Sequence, residues 1–88
     1  MGRPIGRLLL KGRSTGMLAY EPLSQEEFYA ESNQRYLEAF EAMDTDSENV
    51  EQMLDDIVRD FPEEHTHLAA YHLWKTRAGE MGTRIRIA

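Results

Sequence analysis

Three histidines, His65, His67 and His72, stand beside Glu63 and Glu64, and of all the residues in this chain they most invite a metal-site reading. Two ligands on one helix converge only at a spacing of about three or four residues. No two of these histidines have it: position 69 is alanine, position 71 is tyrosine, and the residue four before His72 is Leu68. On a helix His65 and His67 project about 160° apart, while His65 and His72 stand about 10 Å apart along the axis. The spacing predicts no metal site. It places His67 inside an apolar arc, as a hydrogen-bonded core histidine.

Acid–base chemistry has more raw material, because residues 21–64 carry fifteen carboxylates against Arg35 and Arg59. A general acid or base needs a carboxylate set apart in a pocket with a shifted pKa, and these acids recur instead on the polar sides of helices. There is no cysteine, which excludes thiolate nucleophiles, thiolate metal sites and disulfides. The segment Gly12–Gly16 has neither the spacing nor the lysine of a phosphate-binding loop. The sequence therefore predicts no enzyme and no cofactor.

Charge is the remaining functional signal. Net charge is −6, with a balance of −13 over residues 21–64 between two basic ends: Arg3, Arg7, Lys11 and Arg13 at one, Lys75, Arg77, Arg84 and Arg86 at the other. An acidic block of this density exceeds what solubility requires and suggests a basic protein partner. The candidate binding residues are Glu27, Glu31, Glu38 and Glu41, which fall within about 80° of arc on one helix, together with Asp55 and Asp56 on the next. The alternative is nucleic-acid binding through the ends: if the terminal segments pair, Arg7, Lys11, Arg84 and Arg86 decorate one sheet face.

The elements that must position these residues are legible from periodicity and punctuation. Ser24-Gln25-Glu26-Glu27 has capping-box spacing and opens a helix with Phe28, Tyr36, Ala39, Phe40 and Met43 on one face. Asp44-Thr45-Asp46-Ser47 interrupts, and a second helix follows with Val50, Met53, Leu54, Ile57, Val58 and Phe61 inward. Pro62 starts a third helix and Gly79 stops it. In that third helix Leu68, Ala70, Tyr71, Leu73, Trp74 and Ala78 cover more than half the circumference, which predicts a central element with Trp74 buried. From Val50 to Gly79 the order of helix, proline, short acidic turn and helix resembles the junction between tetratricopeptide repeats. The resemblance implies a helix hairpin; with no second period it carries no function.

The fold class expected is α+β, mainly α, in one small domain: a three-helix core at about 25–43, 48–60 and 63–78, with short β-strands from the N- and C-terminal segments. Residues 1–22 form a basic strand or hairpin or a flexible arm, 24–79 an acidic helical core, and 82–88 a terminal strand in which Thr83, Ile85 and Ile87 alternate with arginines. That strand needs a neighbour. The candidates are Ile5–Lys11 or the same strand of a second copy, and the reading leans to a homodimer. No run reaches the length of a membrane span, and Leu8-Leu9-Leu10 is too short for a signal-peptide core, so the expected location is cytoplasmic.

Overall fold

A computed structural model describes residues 2–9, 17–45, 47–63, 67–80 and 82–86, the side chains of Ser47 and Arg86 excepted. Among them are three strands, β1 (Gly2–Leu9), β2 (Met17–Pro22) and β3 (Arg84–Arg86), and four helices, α1 (Gln25–Tyr29), α2 (Glu31–Thr45), α3 (Ser47–Asp60) and α4 (Leu68–Arg77). The fold is α+β and mainly α. β1 and β2 make an antiparallel hairpin, and β3 lies parallel to β1 on its other side, in the order β2-β1-β3. The terminal strand thus finds a neighbour within its own chain. Ile87 lies outside the described residues. No helix among the described residues is long and apolar enough to cross a membrane.

The capping box at Ser24 forms: the Ser24 hydroxyl accepts from Glu27 N–H at 3.1 Å, and the Glu27 carboxylate accepts from Ser24 N–H at 2.9 Å. The helix it opens does not run unbroken to Met43. It ends at Ala30, whose extended backbone separates α1 from α2. The break is stabilised from the far side, where the amides of Asn33 and Gln34 donate to the Phe28 carbonyl at 2.8 and 2.7 Å. Side chains thereby satisfy a carbonyl that a continuous helix would have bonded itself.

Helix α2 packs on α3, and α3 on α4. The core is Tyr36, Ala39 and Met43 from α2, Val50, Leu54 and Ile57 from α3, and Leu68, Ala69 and Leu73 from α4, with Ile5 and Phe40 packed against it. The apolar spacing of α2 and α3 is therefore read correctly from the sequence. A Schellman motif closes α4: Glu80 N–H donates to Lys75 O and Gly79 N–H to Thr76 O, with Gly79 at φ +90°.

The orientation of α4 departs from the expectation in part: Leu68 and Leu73 are buried as expected, but the aromatic residues of the same arc are not. Trp74 is 63% exposed and Tyr71 38%, whereas His72 is 1% and Lys75 4% exposed. The sheet explains why. β3 pairs only with Arg7–Leu9 of β1, and the register with β2 slips between Pro4 and Gly6, so the N-terminal half of β1 lacks a strand on its α-helical side. Carbonyls buried there need donors. The Tyr36 hydroxyl donates to Pro4 O at 2.6 Å and His72 Nε2–H to Ile5 O at 2.7 Å, while Lys75 Nζ donates to Arg84 O. His72 and Lys75, three residues apart, share a helix face, and turning that face to the sheet turns Trp74 outward. His67 is also not a core residue. It caps α4, its Nδ1 accepting from Ala70 N–H and its Nε2–H donating to Phe61 O at 3.0 Å, so this helix begins at Leu68 and not at Pro62, which with Glu63 lies in a turn.

Exposure of Trp74 has a measurable consequence. Trp74→Ala is expected to change stability by no more than about 1 kcal/mol, as for other surface positions. Urea denaturation followed by circular dichroism checks this; a loss of roughly 3 kcal/mol or more would mean a buried ring.

Candidate functional site

The six carboxylates read from the sequence do not form one surface. Glu27 sits on α1, beyond the break at Ala30, and its carboxylate closes the capping box; hydrogen bonds from the Ser24 backbone and hydroxyl hold its pKa below the usual range. Glu31, Glu38 and Glu41 remain on α2, and all three are exposed. Glu31 lies 3.9 Å from Arg35, which pairs more closely with Asp60 of α3 at 2.8 Å and lays its guanidinium over the Phe61 ring. Glu38 and Glu41 have no ion pair among the described residues.

The two aspartates of α3 diverge. Asp56 lies with Glu38 across a groove between α2 and α3, a space of about 160 Å³ lined also by Arg35, Met53 and Ile57. Its carboxylate accepts from Gln52 at 2.8 Å and stands 3.9 Å from Arg59. Asp55 lines the other side of α3, next to α4, where Arg59 and Arg77 both pair with it. Arg77 also reaches Glu51 at 3.0 Å. Cations from α2 and α4 therefore compensate much of the α3 acidity, though exposed pairs of this kind contribute only about 0–1 kcal/mol each. What the structure brings together is a smaller set: Glu31, Glu38 and Glu41 on a ridge, with Asp56 facing Glu38.

The basic candidates are also partly assembled. Arg7 of β1 and Arg84 of β3 are direct neighbours in the parallel register. Both line an open cleft of about 520 Å³ with Met43, Asp44, Thr45, Gly82 and Thr83. Lys11 lies outside the described residues; Arg86 stands opposite Leu9, its side chain outside them. Parallel neighbours are about 4.8 Å apart, and like charges so placed destabilise a sheet by a few tenths of a kcal/mol or more.

No family model, curated protein or solved structure matches this chain. Function has to be read from the charge geometry itself. Of the histidines, His65 lies outside the described residues, His67 spends both ring nitrogens on backbone groups, and His72 is buried with its Nε2–H on Ile5 O. Among the described residues, no three acidic or histidine side chains gather where a metal ion would sit.

Helical spacing places Tyr36 in the core but gives no sign that Tyr36, His72 and Lys75 close the sheet edge. One signal was present: a lysine one residue beyond Trp74, inside the apolar stretch that was read as core. Nor did it find the link from Asp44 to Thr83, where the carboxylate accepts from Thr83 N–H at 3.2 Å and from its hydroxyl at 3.0 Å. That link ties the end of α2 to the start of β3 and helps to form the cleft that holds Arg7 and Arg84.

Proposed function

We propose that this chain is a non-enzymatic protein-binding module, and that the α2 ridge of Glu31, Glu38 and Glu41, with Asp56 across the groove, receives a basic segment of another protein. The observation that carries the reading is that Glu38 and Glu41, exposed on the same helix as Glu31, have no ion pair among the described residues, whereas Asp55, Asp60 and Glu51 each have an arginine. The groove beside them suits lysine and arginine side chains. Met53 and Ile57 offer apolar contact to the aliphatic stem, while Glu38 and Asp56 flank the charged head. Glu27 and Asp55 are left out of the proposed surface, because one closes a capping box and the other is held by two arginines.

Glu38 and Glu41 are exposed, so their reversal to lysine is expected to leave the fold intact. The test is a pull-down from the native host with the wild-type chain and with E38K/E41K, at low and high salt. A protein retained by the wild type and lost both in the double variant and at high salt supports the acidic ridge. Equal retention by both chains sinks the reading. Co-purification abolished by nuclease favours instead nucleic-acid contact through the basic segments.

A further inference from the structure

We infer that Arg7 and Arg84 form a binding site for a phosphate group, in the cleft at the C-terminal end of α2. Four other described arginines, Arg3, Arg35, Arg59 and Arg77, each pair with a carboxylate. Among the described residues Arg7 and Arg84 have no ion pair, although the chain is acidic and Asp44 lines the same cleft. Both oxygens of Asp44 accept from Thr83 instead. Two neighbouring guanidiniums without an acid between them repel, and an oxyanion placed between them removes that repulsion.

The backbone beneath the pair is fixed before any ligand arrives. Arg7 N–H donates to Thr83 O at 2.8 Å, and Arg84 O accepts from the buried Lys75. Arg7 and Arg84 sit in register on a parallel strand pair and project to one face. Each guanidinium offers a planar fork of donors that matches the oxygens of a tetrahedral phosphate. Phosphate is favoured over carboxylate because its tetrahedral oxygens can meet two forks that approach from different directions, whereas the acceptor sites of a carboxylate lie in one plane. The group has two sources with the same chemistry, a free phosphate or the backbone of a nucleic acid, and salt dependence separates them.

The probes are inorganic phosphate, followed by the side-chain NMR signals of the arginines, and a short DNA duplex, followed by fluorescence anisotropy, both with the full chain. The expected result is saturable binding of at least one probe that R7Q/R84Q weakens by about tenfold or more, while R59Q, on α3, leaves it unchanged. R7K/R84K keeps the charge without the fork and is expected to fall between the two, which provides a readout even if the glutamine variant folds poorly. Duplex binding far tighter than phosphate, and falling steeply with salt, assigns a nucleic-acid backbone; comparable affinities assign a free phosphate. Saturable binding of neither probe, or an equal loss in R59Q, overturns the site.

Discussion

His72→Leu is expected to destabilise the fold by about 2–4 kcal/mol, the largest effect of any polar substitution considered. Leucine fits the apolar surroundings but leaves the half-buried Ile5 carbonyl, at the bulge of β1, without its donor. An orphaned buried carbonyl costs roughly 1–3 kcal/mol, and the change of shape between α4 and the sheet adds to it. His72→Gln, which returns an N–H donor, is expected to recover part of the loss. The same site makes stability depend on pH. Burial pushes the His72 pKa below its ordinary value of 6.5, Lys75 adds to the shift, and the bond to Ile5 O opposes it. Above about pH 6.5 the imidazole is neutral in both folded and unfolded chains and the full contribution is present. As pH falls toward the folded-state pKa, the unfolded chain takes up a proton that the folded chain refuses, and stability declines. Urea denaturation at pH 7.5 and 5.5 is expected to show a steeper acid loss in the wild type than in His72→Leu. Equal slopes, or a substitution cost under about 0.5 kcal/mol, would mean that His72 does not close the sheet edge.

Gly6→Ala is the second change with a large expected effect. A methyl group at this position would stand 2.6 Å from Ile85 Cδ1 and 2.7 Å from Thr83 O. The isoleucine tip can swing aside. The carbonyl cannot, because it accepts from Arg7 N–H and belongs to the segment that Asp44 anchors to α2. Overpacking of this kind costs about 1–3 kcal/mol. Relief requires β3 to move away from β1, so the Arg7 amide should exchange faster with solvent deuterium, and the Arg7–Arg84 pair should separate. Unchanged stability together with unchanged protection at Arg7 would show that β3 is not held against β1 in this way.

How much of this was legible in the sequence depends on how local the cause was. Tyr36, Ala39, Met43, Val50, Leu54 and Ile57 recur at helical spacing, and all six are buried. The Ser24 capping box and the Gly79 stop are likewise local signals, and both form. The break at Ala30 was invisible, because alanine is the best helix former and the side chains that stabilise the break come from Asn33 and Gln34. The orientation of α4 was misread for a related reason. Apolar periodicity assumes that the buried side of a helix meets other apolar groups, but α4 meets backbone carbonyls of a sheet edge, which call for His72 and Lys75.

The site divides in the same way. Exposure of Glu31, Glu38 and Glu41 followed from their place on the wheel, and the Glu31–Arg35 pair from its spacing of four. The pairs Arg35–Asp60 and Arg77–Glu51 join residues 25 and 26 positions apart and required the packed helices to be seen. The separation of Asp55 from Asp56 is decided by which neighbouring helix each one faces. Arg7 and Arg84 could be paired from the sequence only on the condition that the two ends met, and β3 alongside β1 meets that condition.

The central functional claim is that the acidic ridge of α2 draws in a basic partner. Long-range attraction acts mainly on encounter, and salt screens it over about 10 Å at 0.1 M. The most direct measurement is the association and dissociation rates of a captured partner, taken across a salt series for the wild type and for E38K/E41K. Association of the wild type is expected to slow steeply as salt rises while dissociation changes little, and the double variant to associate slowly at low salt with a much flatter dependence. An association rate that is the same for both chains at every salt concentration would contradict it and leave Glu38 and Glu41 as a solvated face.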